Sequence, residues 1–254
     1  MYPLQSYVFI PARLASTRLP RKLLLRETGK TVLQHTYEAA QQAARPMGIC
    51  VAAEDEEIAP EVRRFGGDVV VTGPNFASGT DRIAHVAAER RFDQIDIVVN
   101  LQADEPEISG TAIDQVIELL EHDSAAVMST LATPIRHRGQ FEDPACVKVV
   151  FDISGRALYF SRSPIPHVRE WSDDILTDNP PQFFQHIGLY AYRRDFLLEL
   201  ARLPQTAAEH LEKLEQLRVL ESGHPVVVGT IDEPTCGIDT AADYRRFVTR
   251  MKSA

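Results

Sequence analysis

The chain has 254 residues, 44% of them hydrophobic and 25% charged, with a formal net charge of -9. That length supports one large α/β domain or two small ones with a sizeable core. The acidic balance excludes the broad basic field of a non-specific nucleic-acid binder, and no apolar run reaches the roughly 20 residues that cross a bilayer.

Three scattered cysteines, Cys50, Cys146 and Cys236, fit small core residues in a reducing compartment better than a disulfide framework or a zinc site. The first residues, MYPLQSYVFIPAR, lack the basic head and long apolar core of a secretion signal. A soluble cytoplasmic protein, without membrane insertion or a nucleic-acid partner, is the expectation.

In the first half, short apolar runs alternate with amphipathic stretches. Strands are expected at 7–10, 49–53, 68–71, 95–100 and 126–130, and helices at 32–44, 56–65, 80–90 and 111–121. This alternation predicts an α/β fold with right-handed crossovers and a mainly parallel sheet covered by helices on both faces. Ligands of such sheets bind at the carboxyl ends of strands. The loops 11–22, 72–80 and 101–109 are therefore expected to converge.

The second half is less regular. Segments 147–151 and 157–161 read as paired strands joined by the turn Asp152-Ile153-Ser154-Gly155. A Pro-rich stretch, 164–181, contains the only tryptophan, Trp171, and reads as a lid or dimer-contact excursion. A long strand at 183–192, helices at 195–202 and 207–222, a strand at 226–229 and a closing helix at 240–251 complete the chain. Thr240 is the expected N-cap of that last helix. With no repeat, low-complexity tract or linker, 1–254 reads as a single domain with an excursion at about 130–200.

Three stretches carry chemistry. From Arg13 to Lys30 the chain holds six Arg or Lys and one acid, Glu27, and the loop leaving the first strand presents Arg13, Ser16, Thr17, Arg18, Arg21 and Lys22. Guanidinium groups and hydroxyls suit polyphosphate, although the same composition also fits a solvated surface loop. VVNLQADEPEI ends a buried-type strand and immediately presents Gln102, Asp104 and Glu105. A carboxylate there can hold magnesium, which takes one or two carboxylates plus substrate phosphates, or it can cap backbone N–H groups in a turn. GIDTAADYRRF places Asp239 before a helix, with Gly237 allowing close backbone approach. Asp239 either assists the cap or completes a site with Asp104; spacing alone does not decide.

Weaker signals follow. In FASGTDRIAHVA, Ser78 and Gly79 precede a helix, where backbone N–H groups bind a base edge or anion, or where Ser78 or Thr80 simply caps. Arg162, His186, Tyr190, Glu212, Glu215 and Gln216 stand out in the second half. Leu211, Leu214, Leu217 and Leu220 have helical spacing, which makes one face core and leaves Glu212, Lys213 and Glu215 to solvent. A lone strand histidine such as His186 is ordinarily structural. The dinucleotide fingerprint G-x-G-x-x-G is missing from the first loop.

The stretches IPARLASTRLP, SGTDRIA, VNLQADEP, VKVV, ALYFSRSPIP, HIGLYAYRRDFL, LEKLEQLRVLE and GIDTAADYRRF occur in this order. Together they resemble the 3-deoxy-manno-octulosonate (Kdo) cytidylyltransferases, the CMP-Kdo synthetases, over essentially the whole length. The resemblance implies a Rossmann-like nucleotide-diphospho-sugar transferase fold. It also implies that a Kdo hydroxyl attacks the α-phosphorus of CTP and releases pyrophosphate, in service of lipopolysaccharide biosynthesis. On it, Arg13 and Lys22 hold the CTP phosphates with Ser16 nearby, Asp104 and Asp239 ligate Mg2+, and Thr72 and Ser78 border the cytosine. Gln102, Arg162, Arg169, His186, Tyr190, Glu215 and Gln216 line the sugar pocket, and the protein is a homodimer.

Two positions depart from the family pattern. Arg21 and Ala103 stand where the family usually has glycine, and a glycine position that requires positive φ would force a different loop path here. Rival readings are a cytidylyltransferase for another acidic sugar, amino-Kdo or sialic acid, and a non-catalytic nucleotide-sugar-binding relative. The sugar-half motifs follow the Kdo pattern, and Arg13, Lys22, Asp104 and Asp239 are all present.

Overall fold

The computed structural model describes residues 4–232 and 236–253. In chain order the elements are β1 (Ser6–Ala12), α1 (Val32–Ala40), β2 (Ile49–Ala53), α2 (Ile58–Arg64), β3 (Asp68–Val71), α3 (Gly79–Ala87), β4 (Ile97–Leu101) and α4 (Gly110–His122). Then come β5 (Met128–Pro134), α5 (Arg138–Glu142), β6 (Lys148–Phe151), β7 (Ala157–Ser161), β8 (Phe184–Arg193) and α6 (Arg194–Leu200). The chain closes with α7 (Ala207–Glu212), α8 (Gln216–Glu221), β9 (Val226–Thr230) and α9 (Ala241–Ser253).

The sheet order is β3-β2-β1-β4-β8-β5-β9. Every strand on this path except β8 points the same way, since β8 runs antiparallel to both β4 and β5 while the other neighbours are parallel. The mainly parallel α/β fold read from the alternation is thus the one observed.

Helices cover both faces because the strands are apolar on both. Val8, Ile10, Val51, Val99 and Leu101 pack with Val32, Leu33, Ile113, Val116 and Phe247 from α1, α4 and α9. The alternate residues Phe9, Cys50, Ala52 and Val98 pack with Ile83, Val86, Leu197 and Leu217 from α3, α6 and α8. This is the period-two alternation of a strand, with each side chain finding a helix.

The excursion has a structure of its own. β6 pairs with β7 as a hairpin and also with the start of β8. Beyond it, Phe141, Trp171 and Phe183 stack in a small separate core with Ile135, Cys146 and Leu176. The Lys148 ammonium is fully buried and donates to the carbonyls of Asp143 (2.9 Å), Cys146 (2.5 Å) and Arg162 (2.7 Å), which meets its three donors and ties the hairpin's ends together.

The helix expected at 207–222 is broken in two. Lys213 adopts a left-handed conformation (φ 55) and its N–H caps α7 on Glu209 O at 2.8 Å. The break points Leu214 and Leu217 into the core but leaves Leu211 81% exposed, so the four leucines do not form one face. α8 is locked back onto α7 by a buried bidentate pair, Arg218 Nε to Glu209 Oε2 (2.8 Å) and Nη2 to Oε1 (2.6 Å). Glu215, read as solvated, begins α8 facing inward, and burial pushes its carboxyl above the ordinary value.

Candidate active site

The three loops expected to converge do so. Two recesses, about 310 Å³ and about 660 Å³, share Pro11, Arg13 and Gln102 and form one cleft over the carboxyl ends of β1 and β4. The larger is walled by the first loop (Arg13, Ser16, Arg18, Lys22) and by Asp104 and Asp239. The smaller is walled by Phe76, Ser78, Thr80 and Arg82 on one side and by Tyr190, Tyr192, Glu215 and Gln216 on the other.

Lys22 is the hub of the larger recess. Its ammonium donates to the Asp104 carboxylate, to Asp239 Oδ1 (3.1 Å) and to the carbonyl of Ile238 (2.9 Å). Arg18 reaches the same Asp239 oxygen at 2.9 Å. The two carboxylates meet because the chain before α9 lies against the loop after β4: Ile238 N donates to Asp104 O at 2.8 Å. Gly237 leaves room there for the Glu105 carboxylate, whose Oε1 would stand 2.6 Å from a Cβ and would have to move aside.

Local chemistry sets the loop. Leu14 N is held by Asp55 Oδ2 (2.9 Å), and Ser16 Oγ accepts from Leu19 N (3.4 Å). Arg21 takes φ 55, ψ 27 immediately before the 3₁₀ turn Lys22–Leu24. Arg21, where the family usually has glycine, is therefore left-handed, with its side chain on Glu57 (2.6 Å). Ala103 is not among the described residues with positive φ; it is buried, with its carbonyl accepting from Thr36 Oγ1 at 2.9 Å.

A divalent cation fits this donor set. Two carboxylates converge within reach of one ammonium, beside a cationic loop, at the mouth of a roomy recess. Among the described residues no group of three or more His, Cys, Asp or Glu gathers to cage a metal. A cation here would complete its shell with substrate oxygens and water, as magnesium commonly does.

Residues 7–229 match the family model described as cytidylyltransferase. A 3-deoxy-manno-octulosonate cytidylyltransferase of Rhodopirellula baltica is 47% identical over 97% of this chain and 98% of its own. That of Syntrophotalea carbinolica is 46% identical over 96% and 97%. The chain belongs to the 3-deoxy-manno-octulosonate cytidylyltransferase family. A solved structure of a CMP:2-keto-3-deoxy-manno-octonic acid synthetase complexed with CTP superposes with a TM-score of 0.88 at 36% identity, over 98% of this chain and 99% of that one. A cytidylyltransferase of Leptospira borgpetersenii shares the fold, with a TM-score of 0.63 at 16% identity over 99% and 88%.

In this cytidylyltransferase most of the expected site residues share the cleft: Arg13, Ser16, Lys22, Ser78, Gln102, Asp104, Tyr190, Glu215, Gln216 and Asp239. Ser78 does so as the N-cap of α3, accepting from Asp81 N (3.1 Å), so Ser78 rather than Thr80 caps. Four others stand behind or away from the walls. Thr72 gives its hydroxyl to the Ala53 carbonyl (3.0 Å) and receives Arg82. His186 is buried behind Tyr190, ring to ring at 5.3 Å. Arg162 turns to the Glu212 carbonyl (Nε, 2.8 Å) and the Pro144 carbonyl (3.1 Å). Arg169 is exposed on the excursion.

Burial pushes the His186 imidazole down to about 3, so the ring is neutral at pH 7. The Thr130 hydroxyl donates to the Leu189 carbonyl (2.8 Å) and lies 3.0 Å from His186 Nε2, which assigns the proton to Nε2 as donor. Burial likewise raises Tyr190 and Tyr192, which remain neutral donors. Gln216 accepts weakly from Tyr190 Oη (3.4 Å), while its buried Nε2 has no protein partner among the described residues.

Arg82 and Tyr192 were not singled out as site residues from the sequence, and Arg18 was named only among the cations of the first loop. Arg82 was legible: it follows Ser78 by four positions, which puts both on one face of α3.

Proposed function

We propose that the protein transfers the cytidylyl group of CTP to a hydroxyl of Kdo, giving CMP-Kdo and pyrophosphate for lipopolysaccharide biosynthesis. The observation that carries this reading is the meeting of Lys22, Asp104 and Asp239 at one point beside Arg13, in a chain 47% identical to a named Kdo cytidylyltransferase. The hydroxyl oxygen forms a bond to the α-phosphorus, the bond to the leaving pyrophosphate breaks, and the hydroxyl proton is lost.

The larger recess takes the triphosphate. Arg13, Arg18 and Lys22 surround it with positive charge, and such fixed cations neutralise oxygens that gain charge in the transition state. The smaller recess takes cytosine along Phe76–Ser78 and the acceptor along Tyr190, Glu215 and Gln216. The orphaned Gln216 Nε2 suits a sugar oxygen, since buried donors are rarely left unmet. Asp104 and Asp239 would hold Mg2+, which when bound supplies Lewis-acid polarisation of phosphate oxygens. Holding both substrates in line accounts for much of the rate, as positioning does generally.

We also propose a cytoplasmic homodimer. Ile153, Leu158 and Leu211 are exposed apolar residues on and beside the β6–β7 hairpin, which supports an interface there. Among the described residues no helix is long and apolar enough to cross a membrane.

The deciding experiment measures pyrophosphate release with CTP, magnesium and a panel of acidic sugars. Release with Kdo and poor use of other nucleotides is expected. Release with only sialic acid or amino-Kdo would replace the acceptor and leave the reaction standing; no release with any sugar would reject catalysis.

A further inference from the structure

The smaller recess has a buried cation in its wall. Arg82, on the first turn of α3, is 3% exposed. Its Nη1 donates to the Thr72 hydroxyl (2.6 Å) and to the Gly73 carbonyl (2.7 Å), and its Nη2 donates to the Glu54 carboxylate just past β2. The guanidinium carbon lies 5.3 Å from the centroid of Phe76.

These contacts grip one segment along its length. Thr72 and Gly73 begin the loop between β3 and α3, Phe76 is its middle, and Ser78 ends it as the cap of the helix that carries Arg82. Gly73 takes a left-handed φ of +77, so the chain turns sharply where Arg82 holds it. Glu54 anchors the arrangement from the neighbouring strand, and its own N–H donates to Ala12 O (2.8 Å) at the root of the first loop. Burying a guanidinium is costly unless its donors are met, and here three bonds run to Thr72, Gly73 and Glu54, at the base of the cleft wall.

We infer that Arg82, held by Glu54, is a positioning residue that sets the Phe76–Ser78 wall for the nucleotide. The inference rests on the reading that cytosine lies along that wall. A wall fixed before binding removes the fraction of molecules in which the site is misformed, which lowers the apparent dissociation constant of the nucleotide without touching the reacting phosphorus. Loss of the clamp therefore acts on CTP binding and not on the chemical step.

The test is steady-state kinetics and calorimetric CTP titration on the full chain, comparing wild type with Arg82→Met, Arg82→Lys, Glu54→Gln and Phe76→Ala. Arg82→Met and Arg82→Lys are expected to weaken CTP by about tenfold or more, because charge-assisted bonds to the wall are lost. Lysine does not restore them, lacking the planar fork. Glu54→Gln is expected to weaken CTP by a smaller factor. The kcat at saturating CTP and the KM for Kdo are expected to stay within about twofold of wild type. Unchanged CTP affinity in both Arg82 variants, with weakened affinity in Phe76→Ala, would overturn the clamp and leave the base site in place. Unchanged affinity in all four would remove the base-site reading as well. A fall in kcat with CTP affinity intact would make Arg82 part of the chemistry and also overturn the inference. If Arg82→Met does not fold, Arg82→Lys and Glu54→Gln decide.

Discussion

Lys22 and Asp239 lie 217 positions apart in the chain and meet with Nζ 3.1 Å from Oδ1. The same ammonium holds Asp104, so one cation joins two carboxylates that the proposed metal would share. Asp104→Asn and Asp239→Asn are each expected to reduce pyrophosphate release by about 100-fold or more while leaving the melting temperature near wild type. Near wild-type turnover in either would remove that residue from the site. Lys22→Met is expected to lower turnover and also to tighten Mn2+ binding to nucleotide-free protein, read by electron paramagnetic resonance, because it frees both carboxylates. Mn2+ binding no tighter than wild type would show that Lys22 and the cation do not compete.

Arg21 occupies a left-handed position with a solvent-exposed partner, Glu57. Exposed pairs contribute little, and glycine takes this conformation freely. Arg21→Gly is expected to move the melting temperature by no more than about 4 °C and to keep turnover within about threefold. A tenfold loss of turnover would give Arg21 a direct part in the site.

His186 makes folding sensitive to acid. Its ordinary value is 6.5 and burial holds it at about 3 in the folded protein, so between those values the unfolded chain binds the extra proton. Its contribution is complete above pH 6.5 and declines as pH falls toward 3, by about 2 kcal/mol at pH 5. Denaturant melts of wild type and His186→Gln should therefore run parallel above pH 6.5 and converge or cross below it. Parallel curves down to pH 4 would mean that the ring is protonated in the fold.

The Arg218–Glu209 pair fixes the turn from Lys213 to Gln216 that walls the smaller recess. Arg218→Met strands a buried carboxylate and is expected to cost about 3–5 kcal/mol, whereas Arg218→Met with Glu209→Leu should recover most of it. The measurement is the chemical denaturation midpoint. A double variant as unstable as the single one would assign the loss to packing and not to the uncompensated charge.

The parallel half of the fold was readable because each strand is a short apolar run and each helix a clear amphipathic stretch. The convergence of the first loop, Gln102 and Asp104 followed from strand polarity alone. The encounter of Asp104 with Asp239 did not, since it depends on a backbone bond from Ile238 and on the side-chain space that Gly237 leaves open. The 207–222 segment misled because leucine spacing is the same in one helix or two, while the left-handed turn falls on a lysine that carries no turn signal. Arg162 was placed in the sugar pocket by resemblance; the Glu212 and Pro144 carbonyls hold it outside the walls here.

β8 belongs to two structures at once. Its first residues pair with the hairpin at Val149 and Lys148, and its last ones, Tyr190 of the cleft among them, pair with β4. A strand of this kind behaves as a stiff beam: Gln185 and Tyr190 are about 17 Å apart along it at the usual rise per residue, with one slip in register, at Thr130 and Leu131, between them. The hairpin is therefore coupled to the sheet by direct strand pairing as well as through the connecting stretch 162–183. If the proposed interface forms on the hairpin and the acceptor lies along Tyr190, a load on the hairpin's outer face would be carried along the beam to that wall, which would put assembly and sugar recognition mechanically in series.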